Sequence, residues 1–243
     1  MLRTRIVTLV VSVAFVGITC AQESPNPIPS PTVEESPSPS ISPLQSITPS
    51  PSPARSIRIS FVPPPMEGTI SLGIYDQSSK LVRVLHQNAQ LNDFTVGADA
   101  LVTRWDGKDD STEDLPAGRY HARGYLIGPL KLEDLGETSP PAIETDANPV
   151  VKMRLVRNPL RKDKRPVLEL GVGLNSRGSY LQANDGLPLF KISETPNLTR
   201  AWIATKNENG VDVWQDDETA VHKFRVSNVD QMMAFDCGDF ELK

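Results

Sequence analysis

Ten of the 22 prolines fall between Ser24 and Ala54, with nine serines among them, and this clustering divides the 243-residue chain into a part that cannot bury a core and a part that can. Of the 14 aromatic residues, only Phe15 precedes Arg55. The Pro/Ser stretch has too little apolar surface to offset the entropy of ordering it, so 22–54 is expected to be a disordered linker. Proline-rich chain favours extended polyproline II at about 3.1 Å per residue, giving the linker a reach of roughly 100 Å.

Ahead of the linker, Arg3 and Arg5 precede an apolar run from Ile6 to Ile18. That run is short of the roughly 20 residues a spanning helix needs, and it suits the core of a signal peptide. Two processing routes are open. Small residues at Thr19 and Ala21 fit cleavage after Ala21, with a signal over 1–21. Alternatively, Gly17-Ile18-Thr19-Cys20 resembles a bacterial lipobox, which implies a signal over 1–19 and lipidation of Cys20. Either route places the protein outside the cytoplasm, in the periplasm, on the cell surface or beyond it. Membrane attachment is then expected only through the signal or a lipid anchor.

The remaining 189 residues carry 23 Lys+Arg against 27 Asp+Glu. A net charge of −4 offers no overall field for a polyanion, so no nucleic-acid partner is expected. Three histidines and two cysteines, none close in sequence, supply no zinc cage. With Cys20 removed or acylated, Cys237 has no partner within the chain. Its alternation with Met233 and Phe235 predicts a small buried hydrophobe on a strand.

Period-two runs at 57–61, 69–74, 80–85, 101–105 and 119–127, separated by turn residues, predict short antiparallel strands of a β-sandwich over 55–128. Within this region Ile74-Tyr75-Asp76 leads to Lys80-Leu81-Val82-Arg83-Val84-Leu85, then Trp105-Asp106-Gly107-Lys108-Asp109, then Leu115-Pro116-Ala117-Gly118-Arg119-Tyr120. These three ordered motifs resemble the FlgD Ig-like module of flagellar hook-capping and other exported bacterial proteins. The resemblance covers roughly 70 residues and implies an Ig-like fold with a display or adhesive role. Ser79 and Thr112 stand where that family has turn glycines, which predicts a different geometry for both turns because a Cβ resists positive φ.

Pro140, Pro141 and Pro149 mark 129–149 as a connector, and 150–243 reads as a second β-rich unit of unrecognised family. Its expected strands are 150–156, 167–172, 187–192, 201–205, 211–214, 221–226 and 232–235, with a tight turn at Asn209-Gly210. The span 179–227 has the strand count of one propeller blade, but one blade closes nothing, so a small sandwich or open barrel is expected. The fold class is therefore all-β, an Ig-like sandwich followed by a second small β domain.

The acidic loop Asp106, Asp109, Asp110, Glu113 and Asp114 invites a calcium reading, but Lys108 falls where a third ligand belongs, and a solvated hairpin is expected with no metal. The basic run Arg161-Lys162-Asp163-Lys164-Arg165, preceded by Arg157, reads as a charged loop between two strands, with a patch for an anion or an envelope polymer as the alternative. Gly171-Val172-Gly173 lacks the third glycine and helix of a dinucleotide fingerprint. No Gly-x-Ser-x-Gly elbow is present, no catalytic residue emerges and no cofactor is implied.

The expected function is thus a non-enzymatic, envelope-displayed protein whose Ig-like module acts as a structural spacer or mediates adhesive contacts with an envelope or extracellular protein. The alternative is a carbohydrate- or peptidoglycan-binding module with Trp202 and Trp214 as the ligand-binding residues, since an indole face suits the apolar face of a sugar ring.

Overall fold

A computed structural model describes residues 55–142, 149–162 and 165–243. The expected signal, Cys20 and the Pro/Ser linker lie outside the described residues. Among the described residues the chain is all-β, every strand pairing is antiparallel, and the one helical element is the 3-10 turn Leu91–Asp93.

The first body is built from β1 (Ile57–Phe61), β2 (Thr69–Tyr75), β3 (Leu81–Ala89), β4 (Thr95–Val96), β5 (Leu101–Trp105) and β6 (Gly118–Ile127). One sheet has the order β1-β5-β4. The other is completed by the C-terminal strand β15 (Met232–Leu242), giving the order β15-β6-β2-β3. Ile59, Phe61, Leu101 and Trp105 of the smaller sheet share a core with Ile70, Leu72, Ile74, Tyr120, Ala122 and Phe235 of the larger. Each fully buried Leu or Ile there contributes about 1.5–3 kcal/mol. Phe61 stacks on Phe235 at 5.0 Å, tying the first strand to the last.

The second body interrupts the first between β6 and β15. It comprises β7 (Lys131–Thr138), β8 (Val151–Arg154), β9 (Val167–Asn175), β10 (Gly178–Ala183), β11 (Pro188–Ser193), β12 (Arg200–Asn207), β13 (Gly210–Asp216) and β14 (Val221–Ser227). Its sheets have the orders β11-β10-β9-β8 and β12-β13-β14-β7. Met153, Leu170, Leu181 and Leu189 from one meet Ile203, Val211, Val213 and Val226 from the other. The strands of 179–227 divide between these two sheets, so they form no single propeller blade.

Two boundaries differ from expectation. The 129–149 connector contributes β7, paired with β14, and 232–242 leaves the second unit to pair with β6 from Met232↔Ile127 to Leu242↔Gly118. Composition hid both: β7 is exposed along its whole length, and strand pairing across so long a sequence separation leaves no local pattern. The tight turn of the β12–β13 hairpin falls at Glu208–Asn209, one residue earlier than expected, with Asn207 opposite Gly210.

The second body covers the outer face of the first. Leu81, Val84 and Tyr125 pack into its core, and β2 is buried on both faces, including Ser71 and Tyr75. Gly124 on β6 has no room for a side chain beside β2, since a Cβ there would stand 2.3 Å from the Ser71 carbonyl oxygen.

The turns expected to change geometry do not. Ser79 has φ 64° and Thr112 has φ 67°, both in the left-handed region. Each turn is held by the aspartate three residues earlier. Asp76 Oδ1 accepts from the Ser78 and Lys80 amides, and Asp109 Oδ1 accepts from the Ser111 and Glu113 amides. The backbone bonds also correspond, with Ser79 and Thr112 donating to the carbonyls of Asp76 and Asp109. Carboxylate hydrogen bonds thus compensate a backbone conformation that costs roughly 1–2 kcal/mol without glycine.

Candidate functional site

The two tryptophans singled out from the sequence are brought together. Trp202 on β12 lies opposite Trp214 on β13, and Trp214 lies opposite Lys223 on β14. The core takes the alternate residues Ile203, Val213 and Phe224, so the indoles occupy the other face of this sheet. Trp202 is only 7% exposed and Trp214 is half-buried. Cations flank both rings, with the Arg200 guanidinium 5.6 Å from the Trp202 ring and Lys223 Nζ 4.6 Å from the Trp214 ring.

Lys223 is fixed there by Asp212, whose Oδ2 lies 2.9 Å away, and Arg225 Nε donates to Asp212 Oδ1 at 2.8 Å. Burial opposes ionisation of Asp212, but the hydrogen bonds from Arg225 and Lys223 outweigh it and hold the carboxyl below its ordinary range. A sugar stacking on Trp214 has to displace an anchored ammonium. Trp202 offers little ring area of its own.

A second cluster, which no sequence pattern pointed to, centres on His121 of β6. Its Nδ1 lies 2.7 Å from Asp239 Oδ1 and its Nε2 lies 3.2 Å from Asp236 Oδ1, both carboxylates belonging to β15. Arg119 pairs with Asp239, and Arg161 reaches Asp236 at 3.6 Å. Hydrogen bonds from His121 and Arg119 hold the Asp239 carboxyl down. Asp76, Ser79, Arg119, Arg123 and His121 border a cleft of about 450 Å³. A Ser/His/Asp relay needs a free imidazole nitrogen to take the serine proton. Here the nitrogen remote from Asp239 is taken by Asp236.

His86, by contrast, contacts a hydroxyl, with Nε2 2.7 Å from Thr103 Oγ1. Burial lowers its basicity, with nearby Asp93 acting the other way. No carboxylate hydrogen-bonds its Nδ1 among the described residues, so the pair lacks the group that orients a general base.

The acidic loop residues hold the loop together and tie it to β3. Besides the Asp109 bonds above, Asp106 Oδ1 accepts from the Lys108 amide, Asp110 Oδ1 accepts from the Val84 amide and Asp114 pairs with Lys108 at 3.3 Å. Trp105 Nε1 donates to the Lys108 carbonyl at 2.8 Å. Among the described residues no group of three or more His, Cys, Asp or Glu side chains is arranged to hold a metal ion.

Cys237 is free and partly buried against the first core. Burial and neighbouring Asp236 push its thiol up to about 12, far from the range of a nucleophilic cysteine. No helix among the described residues is long and apolar enough to cross a membrane. No family model, no curated protein and no solved structure matches this chain.

Proposed function

We propose that this is an exported, envelope-displayed protein without catalytic activity, whose first body is an Ig-like sandwich of the FlgD kind acting as a spacer and protein-contact module. The observation that carries the fold reading is a tyrosine corner. Tyr120, near the start of β6, donates its hydroxyl to the Pro116 carbonyl at 2.8 Å and packs its ring on Trp105 at 5.2 Å. That bond, back to the chain a few residues upstream, marks the F strand of Ig-like sandwiches.

Strand order supports the same reading. With β6 as strand F, the sheet β15-β6-β2-β3 follows the order G-F-C-C′ and β1-β5-β4 follows B-E-D. The second body then occupies the connection between F and G. A non-catalytic role is supported by His121, whose ring nitrogens both face carboxylates. Export rests on the charged and apolar leader followed by the Pro/Ser linker.

The alternative reading, a glycan module, is favoured by one feature, the cross-strand pair of Trp202 and Trp214. If it is correct, Trp214→Ala abolishes binding to isolated cell wall while leaving the melt intact. The display reading predicts no such loss. It is tested by locating the protein in fractionated cells of its native host, where recovery in the cytoplasm alone would sink it.

A further inference from the structure

Between Lys152 and Arg165 the sequence places seven cationic side chains and a single acid, in a chain of net charge −5. Lys152 and Arg154 of β8 and Arg165, two residues ahead of β9, line one side of a cleft of about 1010 Å³. Thr205, Asn207 and Asn209 of the β12–β13 hairpin line the other. The site opens where both sheets of the second body end, because β8 and β12 are edge strands. Its volume lies at the upper end of the range of ligand clefts, roughly 300–1,000 Å³.

The cations differ in how far they are committed. Lys152 pairs with Glu169 at 3.2 Å, and Arg165 donates through Nε to the Leu155 carbonyl at 3.3 Å, which leaves its terminal nitrogens for another acceptor. Arg154 is exposed and makes no ion pair among the described residues. The acids at the cleft are Glu208 and Asp230. Asp230 is partly withdrawn, with Oδ2 accepting from Gln231 and Oδ1 enclosed. Asn207 Oδ1 accepts from the Asn209 amide, so its side-chain amide group remains to donate.

Planar guanidinium groups read carboxylate or phosphate oxygens, and carboxamides and a hydroxyl read neutral hydroxyls. We propose that this cleft binds an acidic polysaccharide, with Arg154 and Arg165 on its anionic groups and Thr205, Asn207 and Asn209 on its hydroxyls. The concave shape favours a polymer strand over a bilayer, which cannot enter it. The site shares no residue with the Trp202/Trp214 face or the tyrosine corner, so its failure leaves the display reading standing.

The test is fluorescence anisotropy of a labelled short oligogalacturonate with the whole protein. A neutral glucan oligomer, polyphosphate and phosphatidylglycerol vesicles serve as competitors. Oligogalacturonate binds, salt weakens it, and the neutral oligomer does not compete. Arg154→Gln, at an exposed position, weakens binding about tenfold or more with an unchanged melt. Thr205→Val weakens it about threefold, and Trp214→Ala has no effect. Absence of binding, or indifference to Arg154→Gln, overturns the proposal. So does polyphosphate binding as tightly and indifferent to Thr205→Val, which makes the cleft a bare anion site, or tighter binding to the vesicles, which makes it a lipid contact.

Discussion

The phenol of Tyr75 donates a hydrogen bond to Asp185 Oδ2 at 3.0 Å across 110 residues of sequence. Arg123 donates to the same oxygen at 3.0 Å and lies over the Tyr75 ring at 4.0 Å. Burial, then the charge of Asp185, pushes the Tyr75 phenol strongly up, so it stays a neutral donor. These three side chains, from β2, β6 and the turn before β11, join the two bodies by polar contact where Leu81 and Val84 join them by apolar contact.

Removing this junction is therefore costly. Asp185→Ala should lower stability by about 2 kcal/mol and Tyr75→Phe by about 1 kcal/mol, with the double variant losing less than the sum. Urea unfolding of the variants measures this. A loss under about 0.5 kcal/mol for Asp185→Ala would mean that the junction carries no stability.

Tyr120→Phe deletes the hydroxyl that reaches Pro116 and should cost about 1 kcal/mol. Tyr180, half-buried and without a side-chain hydrogen bond among the described residues, is the control, and Tyr180→Phe should stay within about 0.5 kcal/mol. Equal effects at both positions would remove the tyrosine corner from the account.

Positive φ at Ser79 and Thr112 predicts stabilisation by glycine. Thr112→Gly should gain about 1 kcal/mol, because a β-branched side chain is the least tolerant of that region. Ser79→Gly should gain less. Destabilisation by either substitution in a thermal melt contradicts the turn geometry.

Acid should weaken the fold through the turn aspartates. A hydrogen bond from Thr219, followed by backbone donors, holds Asp217 at about 2, and Ser78 and Lys80 hold Asp76 below its ordinary range. A depressed folded value contributes stability that is complete above the unfolded value of about 3.9 and is lost as pH falls through the folded one. Stability should thus decline from about pH 4 toward pH 2. Asp217→Asn should flatten that decline, and an unchanged acid slope would refute the assignment.

With its thiol pushed up to about 12, Cys237 should resist iodoacetamide in the native protein at pH 8 and react readily in urea. Mass spectrometry of the alkylated chain decides this, and rapid native labelling would contradict it.

Much of the strand pattern was legible because half-buried strands alternate. Residues 101–105 match β5, and 57–61 match β1. What escaped was β7, whose eight exposed residues carry no apolar face, and the return of β15 to β6. The two tryptophans were legible as candidate ligand-binding residues, whereas their pairing and their cationic cover depended on register across three strands. His121 and its two carboxylates were invisible because β15 supplies both, and the pairing that brings them close is set by the fold. The aspartate-held turns carried a local signal, Asp-x-Ser-Ser/Thr at 76–79 and 109–112, in which the carboxylate takes over what glycine does elsewhere.

The most direct test is the intact mass of the protein recovered from membrane, soluble and extracellular fractions of its native host. A processed chain outside the cytoplasm, beginning at Gln22 or at an acylated Cys20, is the expected result. A full-length chain with Met1 retained, confined to the cytoplasm, would contradict it.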